Sequence, residues 1–192
     1  MPFGNVNLQK LNYDTFFLTH EYVSNIIDKI RSKLISNSVF NINKKPNLKI
    51  LHVTNFNYRF FGRLQYNTGI RINNGLIREG HNVLSISDRD LISYTKSIRD
   101  PSGTKYLNKL IRNTIVNFKP DLIILGHADR VQPETLIEAK NSDPNLKISQ
   151  WFLDPLSKYG PDYEKNKFRI LDKNLICDTT FVTTSPDALN FK

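Results

Sequence analysis

The stretch Leu48-Lys49-Ile50-Leu51-His52-Val53-Thr54 decides the fold of this chain. It is a short, nearly continuous apolar run rich in branched side chains and bounded by polar segments. That is the pattern of a strand buried on both faces of a parallel sheet. A polar and aromatic loop from Asn55 to Asn67 follows, then a helix from about Thr68 to Glu79 bearing Ile70, Leu76 and Ile77. Gly80 stops it, because glycine takes the left-handed conformation that closes a helix. His81-Asn82-Val83-Leu84-Ser85-Ile86-Ser87 is a second strand. The next helix uses Leu107, Leu110, Ile111, Ile115 and Phe118 on one face, with Thr104 available as a cap, and ends at Lys119-Pro120. Asp121-Leu122-Ile123-Ile124-Leu125 is the third strand, Pro133 opens a helix to Lys140, and Leu146 to Phe152 is the fourth. Pro161 opens another helix through about Asp172, and Thr180-Phe181-Val182-Thr183 is the fifth strand. Strands alternating with helices predict an α/β fold over residues 48–192: a doubly wound, mainly parallel, Rossmann-like sheet of about five strands.

Working upstream, residues 1–47 read as a helical extension and linker. Phe16, Val23, Ile26, Ile27, Ile30 and Leu34 recur at helical spacing behind Asp14 or Thr15 as N-cap, and the polar stretch Asn37 to Asn47 leads into the sheet. Such an amphipathic helix suits docking on another domain, a partner, or, as a peripheral contact, a membrane surface.

Composition narrows the classes. The 192 residues fit one globular domain, and no apolar run approaches the ~20 residues of a membrane span. The start Met1-Pro2-Phe3-Gly4 lacks the basic-then-apolar order of a signal peptide. Cys177 alone permits neither an internal disulfide nor a thiolate zinc cage, which suits a reducing, cytoplasmic setting. The net charge of +9 lies mostly in the first hundred residues, with 14 basic against 7 acidic side chains. These are scattered between apolar residues, so a mildly basic cleft is expected and a nucleic-acid face is not.

In doubly wound sheets ligands bind at the carboxyl ends of the strands. After the first strand, Asn55-Phe56-Asn57-Tyr58-Arg59-Phe60-Phe61-Gly62-Arg63 places Arg59, Gly62 and Arg63 ahead of a helix start, a reasonable phosphate site or else a solvated loop. One glycine is too few for a dinucleotide fingerprint or a P-loop. Asp88-Arg89-Asp90 after the second strand is either a D-x-D carboxylate pair of the kind that binds a divalent metal or, more ordinarily, a turn with a local ion pair. Gly126-His127-Ala128-Asp129-Arg130 sets His127 and Asp129 at the end of the third strand, where a histidine serves in hydrogen bonding or proton transfer. Asp154, after the fourth strand, is a candidate acceptor for sugar hydroxyls or a turn cap. Thr183-Thr184-Ser185-Pro186 closes the last strand with hydroxyls that suit a ligand or a helix cap. No nucleophile elbow or nucleophile-base pair is legible, and Cys177 reads as buried filler.

The order of strand, glycine-containing loop, helix, Glu79-Gly80-His81-Asn82-Val83 and then Lys119-Pro120-Asp121-Leu122-Ile123-Ile124-Leu125-Gly126-His127 resembles the N-terminal half of GT-B glycosyltransferases. Ser87-Asp88-Arg89-Asp90, Gln150-Trp151-Phe152-Leu153-Asp154-Pro155 and Thr183-Thr184-Ser185-Pro186 are similar to the CgeB-like, or spore-maturation-protein-like, group. The resemblance spans roughly Leu48 to Lys192. It implies the acceptor-side half of an enzyme that moves a sugar from a nucleotide-sugar donor to an acceptor, inactive without the donor-binding half. It also implies that neither a cofactor nor a metal is needed, since the nucleotide-sugar is a co-substrate. His127 then matches a strand-end histidine near the transferred sugar, the Gly62 loop faces the donor diphosphate, and Asp90 and Asp154 line the acceptor side. The alternative is a free-standing Rossmann-like module that binds a small phosphorylated ligand without catalysis.

Overall fold

The computed structural model describes residues 47–185 and Leu189. By compactness the chain divides into Met1–Pro46 and Asn47–Lys192. The helix expected between Asp14 and Leu34 and the helix start expected at Pro186 lie outside the described residues.

Five strands form one sheet: β1 (Lys49–Thr54), β2 (Asn82–Ser87), β3 (Leu122–Gly126), β4 (Lys147–Phe152) and β5 (Thr179–Val182). Every pairing is parallel and the order is β2-β1-β3-β4-β5. The fold is therefore the expected Rossmann-like α/β sheet. Its strand order reverses beside β1, so the chain leaves β1 toward β2 on one side and returns to β3 on the other. That switch point is where such sheets open a crevice.

The helices are α1 (Thr68–Arg78), α2 (Asp88–Thr95), α3 (Thr104–Phe118), α4 (Pro133–Ser142) and α5 (Tyr163–Asn174). Alternate side chains of a strand face opposite sides. Leu51, Val53, Ile123, Leu125 and Ile148 accordingly pack with Ile92, Leu107, Ile111, Leu136 and Ala139 from α2, α3 and α4. On the other side, Ile50, Ile124 and Trp151 meet Ile72 and Leu76 of α1. Phe152 and Leu156 pack on Ile170 of α5. Among the described residues no helix is long and apolar enough to cross a membrane.

Local signals acted mostly as read. Asn67 caps α1, its side-chain oxygen accepting from the Ile70 amide at 3.0 Å. Gly80 has φ of 85° and closes the same helix, with the His81 amide donating to the Leu76 carbonyl. Thr104, however, is the first residue of α3 and not its cap. Gly103 holds that place in the left-handed region because a Cβ there would lie 2.9 Å from the Ile92 carbonyl, and Asp100 accepts from the Tyr106 amide. The largest departure is Asp88-Arg89-Asp90, which is no turn but the opening of α2. Both carboxyl side chains lie in the first turn of that helix and are buried.

Gly126 at the end of β3 has a packing reason. A Cβ on it would lie 2.0 Å from Trp151 Cζ2 and 2.6 Å from Thr54 Oγ1, so the indole of β4 lies across β3 only because that position is bare. Gly75, inside α1, has open space where a Cβ would go. Gly126→Ala is therefore expected to lower stability by about 1–3 kcal/mol through overpacking. Gly75→Ala should raise it by about 0.5–1 kcal/mol. Urea unfolding followed by the fluorescence of Trp151, the single tryptophan, measures both.

Candidate functional site

A cleft of about 660 Å³ opens at the carboxyl ends of β1, β3 and β4. Thr54 and Asn55 of the β1 end, the start of α1, Arg89 of α2, the β3 loop, Trp151, Leu153 and Asp154, and Lys165 and Arg169 of α5 line it. Each wall has a sequence cause. Gly69 lets α1 start hard against β1, since a Cβ there would lie 2.8 Å from Thr54 Cγ2. The helix thus delivers its unbonded first-turn amides to the cleft. The β3 loop is pinned from below by the fully buried Asn108. Its amide donates to the Thr104 and Arg130 carbonyls, and its oxygen accepts from the Gln132 amide and the Thr135 hydroxyl.

Three of the residues expected from sequence meet here: His127, Asp129 and Asp154 all line the cleft. Arg169 of α5 draws them together. Its guanidinium donates to Asp129 Oδ1 at 2.7 Å and to Asp154 Oδ2 at 2.9 Å, and lies 3.3 Å from His127 Nδ1. It also lies over the Phe152 ring. Arg89 donates to the other oxygen of Asp129 at 2.9 Å. Two arginines thus hold the Asp129 carboxyl below the usual range against the opposing effect of burial.

His127 has φ of 48° and its ring stacks on Phe152 with 4.5 Å between centroids. Nε2 accepts from the Leu153 amide at 3.0 Å, so in the neutral ring the proton sits on Nδ1, which faces Asp154 Oδ2 at 3.5 Å. Burial lowers the pKa of this histidine; Asp154 opposes that effect and Arg169 reinforces it. Both nitrogens are engaged within the protein, so the ring positions the β3 loop and is not a free base facing the cleft.

The remaining expected residues lie elsewhere. Arg59 is bound to Asp90 at 2.6 Å, and Asp90 also accepts from the Tyr58 and Arg59 amides and from Ser87 Oγ. These bonds keep its carboxyl ionised below the usual range despite burial, which alone would raise it. The pair anchors the β1 loop and does not line the cleft. Gly62, with φ of 87°, turns that loop in open space, and Arg63 stays exposed beside the Phe60 ring. The helix start in question is six residues beyond Gly62, at Thr68. Asp88-Arg89-Asp90 forms no local ion pair, because Arg89 reaches Asp129 and Asp90 reaches Arg59. Among the described residues no group of three or more His, Cys, Asp or Glu could hold a metal ion.

Sequence reading passed over Arg89, Arg130, Lys165 and Arg169 as cleft residues. For Arg169 the sequence held no clear signal, because the stripe it borders is largely polar. Asn166, Ile170 and Lys173 form the buried stripe of α5, and Arg169 borders it one turn from Asn166. Arg130 and Lys165 are exposed in the cleft, and no described residue pairs with either side chain.

Two buried groups lie behind the cleft. Asp88 is fully buried and neither carboxyl oxygen makes a well-formed hydrogen bond. Burial pushes its pKa up to about 6, which the Arg89 amide and guanidinium only partly offset. His52 is fully buried on β1, its Nδ1 3.1 Å from Asn73 Oδ1, and burial draws its pKa down to about 4.

Compared with known proteins, the chain matches no family model, no curated protein and no solved structure.

Two pH experiments follow from these groups. The Asp88 carboxyl has its folded pKa above the ordinary value of 3.8, so its contribution is full below about pH 4 and is lost as pH rises through about 6. Asp88→Asn should match the parent protein at pH 4 and exceed it at pH 8 by about 1–3 kcal/mol, read from urea midpoints. Arg169→Met removes a cation that depresses His127 while leaving Asp154 in place, so the His127 pKa should rise in an NMR titration. In the parent protein at pH 7 the same spectra should show the ring proton on Nδ1.

Proposed function

We propose that the cleft binds a phosphorylated small molecule, and that it does so as the acceptor-side half of a GT-B-type glycosyltransferase. The supporting observation is the charge left unpaired in the cleft. Arg89 and Arg169 are matched by Asp129 and Asp154, whereas Arg130 and Lys165 face the same space without partners. The first-turn amides of Thr68 and Gly69 add the positive end of α1. A phosphate, or the diphosphate of a nucleotide-sugar, complements this set.

In the sugar-transfer reading, the two free cations and the helix start stabilise charge on a departing diphosphate. Asp154 offers Oδ1 to a sugar hydroxyl while Arg169 holds Oδ2, and His127 sets the loop that carries Asp129 and Arg130. Arg59 and Asp90 support the β1 loop from behind. The ordered sequence motifs favour this reading.

A second reading is a Rossmann-like module that binds the same class of ligand without catalysis. The engagement of both His127 nitrogens within the protein favours it, since no unoccupied base then faces the ligand.

Calorimetric titration with a nucleoside diphosphate at low salt tests the common premise. Arg130→Ala/Lys165→Ala should weaken binding by roughly ten-fold or more, the equivalent of about 1.4 kcal/mol, and the affinity should fall as salt rises. Equal binding of the nucleoside and its diphosphate would count against an anion site. For the catalytic half of the reading, sugar transfer is assayed on a longer chain that carries a donor-binding half, and a kcat/KM unchanged in His127→Ala, with folding intact, removes His127 from the mechanism.

A further inference from the structure

The cationic cleft has an apolar neighbour. Among the described residues an apolar groove of about 310 Å³ borders β3, β4 and β5, lined by Ile72 of α1 and by Ile124, Phe181 and Val182. Trp151 and Leu153 belong to both spaces, forming a common wall between them. The two lie on the same carboxyl half of the sheet because Trp151, crossing Gly126, places its indole between them. Phe181 is 59% exposed and Leu153 38%, so the groove presents hydrocarbon to solvent at the edge of a charged site. Exposed apolar surface continuous with a polar pocket is what a ligand with both characters covers.

We infer that the ligand is an amphiphile: a phosphate head group held by Arg130, Lys165 and the start of α1, with an apolar chain leaving past Trp151 and Leu153 into the groove over β4 and β5. This rests on the phosphate-binding reading above and adds the class of molecule that carries the phosphate. The occupant follows from continuity. The groove and the cleft share Trp151 and Leu153, so an apolar chain attached to a head group in the cleft can follow those side chains from one space to the other. Each methylene moved from water to such a surface contributes a few-fold in affinity.

Trp151 reports the event, being the single tryptophan and sited at the junction. The full chain is titrated with methyl phosphate, geranyl phosphate and geraniol, each below its aggregation concentration, by fluorescence and calorimetry. Geranyl phosphate should bind at least ten-fold tighter than methyl phosphate and than geraniol. Phe181→Gln, at an exposed side chain that lines the groove and not the cleft, should reduce the gain over methyl phosphate to under three-fold and leave methyl phosphate binding unchanged. Equal affinity of the two phosphates overturns the inference and leaves phosphate binding intact; it is also the result expected if protein and not ligand fills the groove. A ten-fold gain that survives Phe181→Gln, or geraniol binding as tightly as geranyl phosphate, overturns it too. Failure of both phosphates to bind defeats the phosphate-binding reading and this inference with it.

Discussion

The contact of the Trp151 indole with the bare backbone of Gly126 is the constraint on which the carboxyl edge of the sheet depends. Three parallel strands, β1, β3 and β4, end level with one another, pairing Thr54 with Gly126 and Gly126 with Trp151. A side chain at the middle position would lift the indole off the sheet. Because it is absent, the large ring lies flat across the switch point, walls the charged cleft and bounds the apolar groove. Thr54 Oγ donates to the Gly126 carbonyl at 2.8 Å, fixing the same edge from the other side. Polar groups gather above this floor for a general reason. A doubly wound sheet buries both faces of its strands, so charged side chains collect where the strands stop.

A second constraint is electrostatic. Asp129 receives Arg89 from α2 and Arg169 from α5, and Arg169 goes on to Asp154 and the edge of His127. Two helices and two strand-end loops are tied into one assembly around a half-buried carboxylate. Such a knot is costly to break from one side, since removing either arginine leaves charge with fewer partners in a partly dry site. It also sorts the cleft's charges into those paired within the structure and those left exposed to solvent. Among the described residues Arg130 and Lys165 belong to the second kind. The loop after β1 shows the same sorting, with Arg59 consumed by Asp90 and Arg63 left in solvent.

Much of the fold was legible because its causes are local. The apolar run from Leu48 to Thr54 and the run from Asp121 to Leu125 correspond to β1 and β3 within a residue. Gly80 and Pro133 act where helix-terminus chemistry puts them. The segment from Asp88 to Thr95 escaped because eight residues opening with two acids carry little hydrophobic period. Its helix is made by docking, with Ile92 buried and Asp88 and Asp90 turned inward. Of the site, His127, Asp129 and Asp154 could be placed by the rule that ligands bind at strand ends. Arg169 could not, since it lies on a helix read only for its length.

Sequence alone determined the alternation of strands and helices, their approximate limits and the edge of the sheet where polar residues collect. Hydrophobic period, capping and the stiffness of proline and glycine act over a few residues. Tertiary structure decided which charges meet. Arg89 and Arg169 each lie forty residues from Asp129, and Arg59 is thirty-one from Asp90. Ion pairing depends on distance in space and on exclusion of water, neither of which spacing along the chain records. Tertiary structure also decided that Gly126 serves a tryptophan twenty-five residues away. That contact exists only because β3 and β4 are neighbours in the sheet.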